Sequence, residues 1–197
     1  MFLVQDGDTI LLDIATAQKD LLLKRLAMYK LRAKVTITAT GRTVAYSATG
    51  GLPDPRHPQL PHRLYDTAGD VTSDVTPTAQ QARALSLGIP ELGRDFAPDE
   101  VVVLDAGYDL LNAVSFTKGC YVGQEIAARM HYKNIARKGF YILTQNGTPQ
   151  KLALLKFDDV EKATGTITLD GITYKAVLPE WMTPKLTQFK TNNETPA

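Results

Sequence analysis

The chain has 197 residues, 44% of them hydrophobic and 22% charged, enough for one large domain or two small ones around a buried core. Lys and Arg number 22 against 21 Asp and Glu, a formal charge of +1, so no global field recruits nucleic acid or an anionic membrane and any basic site is local. A single cysteine excludes an intrachain disulfide framework, and histidines at 57, 62 and 131 give no Cys/His zinc spacing, which fits a reducing compartment. The opening MFLVQDGDTILLDI lacks the regions of a secretory signal, and no run approaches the roughly 18 apolar residues of a membrane span. The expected location is the cytosol or an organelle matrix.

In chain order, a strand over 2–4, a turn at Asp6-Gly7-Asp8 and a strand over 9–14 predict a hairpin. Thr16 is a candidate N-cap for a helix over 17–29, whose Leu22, Leu26 and Tyr29 share one face. Alternation at Val35, Ile37 and Ala39 predicts a strand that pairs across Gly41 with a second over 43–48, a β-β-α-β-β layer of α+β class. Five prolines and several glycines make 49–77 a long connection of the kind that often carries function, with a strand near 63–65. A helix over 78–87 is stopped by Gly88-Ile89-Pro90, and 91–114 is irregular with a short helical patch at 108–114. A helix over 121–131 carries Val122, Ile126 and Met130 as its apolar stripe. From Lys138 onward three or four strands with turns at Gly147 and Gly171 predict a small β-barrel or sandwich-like unit, followed by a frayed tail.

The only cysteine stands in SFTKGCYVGQEIAARMHYKN, between Gly119 and Tyr121. A helix beginning at Tyr121 puts Cys120 at its N-cap, where unpaired N–H groups and the macrodipole favour an anion, and Lys118 adds positive charge nearby. Both are recognised ways of activating a thiol. Gly119 and Gly123 carry no Cβ and allow a close approach of backbone or flat ligand. Glu125 and Arg129, four apart, can pair on one helix face. Against this, a lone cysteine is as often inert filler as a nucleophile; His131 reads as a surface residue, and His57 and His62 receive no role.

The stretch FTKGCYVGQEIAARMHYKNIARKG resembles the signature of the YgfZ family of folate-binding proteins, Lys-Gly-Cys-Tyr-x-Gly-Gln-Glu followed by a helix with arginine. YKLRAKV at 29–35 and QARALSLGIPELGRDF at 81–96 extend the similarity over most of the chain. The resemblance implies a fold like the glycine-cleavage T-protein: a tetrahydrofolate-binding core with ferredoxin-like β/α layers over 1–137, incomplete at its N-terminus, a C-terminal β-barrel over 138–190, and a disordered tail at 191–197. It implies Cys120 as the reactive position, with Lys118, Gly119, Tyr121, Gly123, Gln124, Glu125 and Arg129 as the folate-binding signature around it. Asn134 departs from it, standing where a glycine is common.

The implied role is an accessory protein in iron–sulfur cluster assembly or maintenance, partnered by iron–sulfur client or assembly proteins, in a bacterial cytoplasm or a mitochondrial matrix. The rival is a folate-dependent aminomethyl or other one-carbon transferase; a third reading is an interaction module without folate. One cysteine cannot hold a cluster alone, since clusters usually take four thiolates, so cluster contact would be shared or the thiol would act by transient redox chemistry. Members normally begin with a further strand-helix-strand segment. Without its cover the opening hairpin is expected to drive dimerisation or to leave folate weakly bound.

Overall fold

The computed structural model describes residues 1–67, 73–120, 123–133 and 136–194. The predicted hairpin is present: β1 (Phe2–Asp6) pairs antiparallel with β2 (Thr9–Asp13), Asp6 opposite Thr9. Gly7, at φ 56°, supplies the left-handed residue of its two-residue turn. A 3-10 turn, Thr16–Gln18, then leads into α1 (Lys19–Tyr29). Thr16 lies inside that turn and caps nothing. Of the expected stripe, Leu22 and Leu26 are half-buried while Tyr29 is 68% exposed, and α1 contains no buried residue.

The strand expected across Val35, Ile37 and Ala39 is absent, and 33–40 holds no regular structure. A strand is stable only when a neighbour satisfies its N–H and C=O groups. The neighbour expected for it, β3 (Arg42–Ser47), pairs instead with β4 (His62–Thr67), register Arg42 to Thr67 through Ser47 to His62. The strand predicted near 63–65 is thus real and longer than its pattern suggests.

Helix α2 (Pro77–Ser86) follows the rules of its ends closely. Thr76 accepts a hydrogen bond from Ala79 N at 3.2 Å, and Pro77 occupies the first turn, where its missing N–H costs nothing. At the other end Gly88 N donates to Leu85 O and Ile89 N to Ala84 O, a Schellman closure with Gly88 at φ 70°. Ala84 and Ile89, brought together by that closure, are both 0% exposed and form a small core with Leu60 and Leu111. Residues 101–113 run as successive turns, not as the helical patch expected at 108–114. Helix α3 (Gln124–Lys133) comes next.

The C-terminal strands are β5 (Lys138–Gln145), β6 (Thr148–Lys156), β7 (Thr166–Leu169) and β8 (Ile172–Val177). They form one antiparallel sheet in the order β6-β5-β8-β7. Asn146-Gly147 and Asp170-Gly171, all at positive φ, make its two tight turns. Among the described residues no strand joins the free edges of β6 and β7, so the sheet stays open and the expected barrel does not close. The class is α+β, built of several antiparallel sheets.

Strand β5 is buried on both faces. Tyr141 and Leu143 face a core with Phe157, Val160, Tyr174, Ala176 and Phe189; Phe140 and Ile142 face a second with Ala106 and Leu152. The first core is covered by two helices that sequence patterning missed, α4 (Phe157–Lys162) and α5 (Thr183–Glu194). Polar composition hides α5, which docks through Phe189 and through buried Lys185; the Lys185 ammonium donates to Leu104 O at 2.6 Å and pairs with Asp109 at 2.8 Å. It runs through Glu194, four residues into the expected tail; 195–197 lie outside the described residues. No helix among the described residues is long and apolar enough to cross a membrane.

Candidate functional site

Cys120 is exposed, at the end of a loop whose turn is fastened locally: Lys118 N donates to Ser115 Oγ at 3.3 Å, and Ser115 and Thr117 hydroxyls lie 3.4 Å apart. Helix α3 begins at Gln124, not at Tyr121, and Gly123 before it has φ 86°. A left-handed residue cannot belong to a right-handed helix, so Gly123 sets the boundary. Cys120 therefore stands four positions before the first residue of α3 and is not its N-cap. The N-cap argument for its activation does not hold in this arrangement; its exposure does give a reagent access.

Lys118, Gly119, Glu125 and Arg129 are also exposed, and Gln124 is half-buried. Tyr121 lies outside the described residues, as do Val122 and Asn134. A Cβ at Gly119 or Gly123 would meet nothing within 4 Å, so Gly123 is required by its backbone angle and neither glycine by close packing. Glu125 and Arg129 form no ion pair with one another among the described residues. The stripe expected on α3 is also displaced: Ile126 is 62% exposed, and the buried position is Ala127. Of the motif residues described, Lys118, Gly119, Cys120, Glu125 and Arg129 are thus open to solvent.

Two features near it were not legible in advance. Phe116, before the cysteine, stacks on His131 of α3 with centroids 3.7 Å apart and planes inclined by 15°. Tyr132 meets Phe116 edge-on at 6.4 Å. Only the close spacing of aromatics in SFTKGCYVGQEIAARMHY signals this.

A second constellation lies in the long proline-rich connection. Asp54 accepts from Arg56 Nε and Nη2 at 2.9 and 2.8 Å and from Arg63 Nε at 3.1 Å; Arg56 also reaches Glu91 at 2.7 Å. Arg63 donates to Asp13 of β2 at 2.6 Å, and the same carboxylate oxygen accepts from Tyr65 Oη at 3.0 Å. Phe2 lies under both guanidiniums, 3.5 Å from Arg63 and 5.0 Å from Arg56. Burial alone would raise the Asp54 carboxyl; hydrogen bonds and charge from Arg56, with the charge of Arg63, outweigh it and hold Asp54 below the usual carboxylate range. Burial, then the charge of Asp13, pushes the Tyr65 phenol well above its ordinary value. The signal available was PDPRHPQLPHR, an acid and arginines among prolines.

Beside this network Val4, Gln5, Asp6, Leu11, Gly51, Leu52, Arg63, Leu64 and Tyr65 line an open cavity of about 420 Å³. Another, of about 580 Å³, lies between Ser86, Ile142, Asn146 and Lys175. The motif lines neither. Among the described residues no group of three or more His, Cys, Asp or Glu is placed to hold a metal ion.

No protein-family model matches the chain. Similarity to curated proteins gives a class first: the relatives are named iron–sulfur cluster assembly factors. In particular they are IBA57 proteins, each named as mitochondrial. The chain is 30% identical to human IBA57 over 163 residues, 66% of this chain and 44% of the relative. It is 31% identical to the Mycosarcoma maydis homolog over 180 residues, 78% and 44% of the two chains. With the Pyricularia oryzae homolog the identity is 25% over 194 residues, 85% and 48%. The chain spans about half the length of the curated relatives it matches.

Proposed function

We propose that this protein is a YgfZ-type accessory factor in iron–sulfur cluster assembly or maintenance, working through the thiol of Cys120. The observation that carries the reading is the similarity to IBA57 assembly factors over two thirds or more of this chain. The site is consistent with it, because the chain's only thiol is exposed rather than packed as filler. With one thiolate and no metal-binding cluster among the described residues, Cys120 supplies a single ligand or a transient redox contact. Client or assembly proteins supply the remainder. The relatives' names support a mitochondrial location and give the cytoplasmic one no support.

Tetrahydrofolate is the proposed small-molecule ligand, held in a T-protein-like core. Its proposed place is the open cavity of about 420 Å³, where Val4, Leu11, Leu52 and Leu64 offer apolar walls and Gln5 a polar edge, with Asp6, Arg63 and Tyr65 at the rim paired to Arg42, Asp54 and Asp13. The exposed motif residues assigned to folate, Lys118, Gly119, Glu125 and Arg129, would then serve the protein partner. Calorimetric titration of the chain with tetrahydrofolate tests the ligand. Saturable binding that weakens on Tyr65→Phe is expected; absence of binding by the unaltered chain would remove folate from the account. Restoration of iron–sulfur enzyme activity in cells depleted of their own IBA57 tests the role.

A further inference from the structure

The proposed role needs the Cys120 loop to be held in a defined position. Gly123, not Cys120, directly precedes α3, and among the described residues a Cβ at Gly119 or Gly123 would meet nothing within 4 Å and no ion pair joins Glu125 to Arg129. Among the described residues an aromatic stack ties the loop to the helix. Phe116 lies four residues before Cys120 and His131 eleven after it, and their rings stack at 3.7 Å and 15°. Tyr132 closes on Phe116 edge-on at 6.4 Å and on His131 at 5.1 Å. His131 and Tyr132 are exposed and Phe116 is half-buried, so the cluster belongs to the surface around the loop and to none of the three cores.

We infer that the Phe116–His131 stack is a clasp that fixes the Cys120 loop against α3, making Phe116 and His131 positioning residues for the thiol. The stack joins a residue of the loop before Cys120 to one on α3, and so restrains that side of the loop against the helix. Rings this close and this nearly parallel meet face to face, and it is apolar contact between the two faces that joins them. The aromatic face of His131 is therefore what matters, and an imidazole nitrogen is not required. This inference rests on the reading of Cys120 as the working residue only for its importance; the clasp itself is measurable without any activity.

Because Cys120 is the only cysteine, a nitroxide attached to the full chain reports on this loop alone. The unaltered chain is expected to give a predominantly immobilised spectrum. Phe116→Ala and His131→Ala should each raise the ratio of mobile to immobilised signal roughly two- to tenfold, as loss of one aromatic pair requires. Global melting should be unchanged, and His131→Phe should restore the immobilised spectrum. An unchanged spectrum in both alanine variants would overturn the clasp, as would failure of His131→Phe to restore it. Loss of function on Cys120→Ser is read separately, so the clasp and the role of the thiol stand or fall independently.

Discussion

Asp54 sits where two guanidiniums converge, and its side chain is 1% exposed. Its carboxyl is held below the ordinary value, so its contribution to stability is present above the unfolded-state pKa of about 3.8 and is lost as pH falls through the lower folded value. Denaturant midpoints should therefore fall below about pH 4 in the unaltered chain. Asp54→Asn should remove that part of the acid dependence while costing about 1–3 kcal/mol at neutral pH, because charge-assisted hydrogen bonds are lost while Arg56 keeps Glu91 and Arg63 keeps Asp13. A cost near zero would show the arginines finding solvent instead. At this scale the sequence was legible in part: Cys120 stood out by context and is exposed. Asp54, Arg56 and Arg63 did not stand out, because Asp13 and Glu91, their other partners, come from segments far away in the chain. Stacking of His131 on Phe116 was hidden for a similar reason, as it depends on where α3 begins.

Gly88 shows how an element boundary couples to tertiary packing. A Cβ there would meet Pro179 Cγ at 2.2 Å and Ile142 Cγ1 at 3.1 Å, whereas one at Gly147 would meet nothing within 4 Å. Both have positive φ, 70° and 78°. Gly147→Ala should thus cost only the backbone strain, about 1–2 kcal/mol. Gly88→Ala should cost the same plus overpacking, about 2–5 kcal/mol in all, measured by denaturant unfolding. Equal costs would mean that Pro179 yields freely. Helix α1 makes the opposite case, a sound helical pattern without a buried residue. Its amides should exchange far faster than those of β5, which is buried on both faces; comparable protection would show α1 to be part of the stable core. Turn chemistry and alternation made the hairpins, α2 and the C-terminal strands readable. The strand expected at 35–40 failed because alternation cannot say whether a partner exists. Helix α5 escaped because it is held by Phe189 and buried Lys185, contacts with distant residues.

Among the described residues, the buried hydrophobic ones lie between Leu60 and Phe189, many of them around β5, while the first 52 residues expose Leu3, Ile10, Leu21, Met28, Tyr29, Leu31, Val35 and Leu52. The N-terminal hairpin is joined to this body by polar and cation–π contacts, Asp13 to Arg63 and Tyr65, Asp6 to Arg42, and Phe2 to both buried arginines. Two exposed regions are thereby presented on a stable frame, the motif loop with α3 and the cavity beside the hairpin. The central claim is that the first of these acts in iron–sulfur cluster assembly through its thiol. Its most direct test is the activity of iron–sulfur enzymes in cells depleted of their own IBA57 and supplied with this chain or its Cys120→Ser variant at matched levels. Because Cys120 is exposed, the serine variant should fold normally; the account predicts that the unaltered chain restores activity and the variant does not. Full restoration by Cys120→Ser would contradict it.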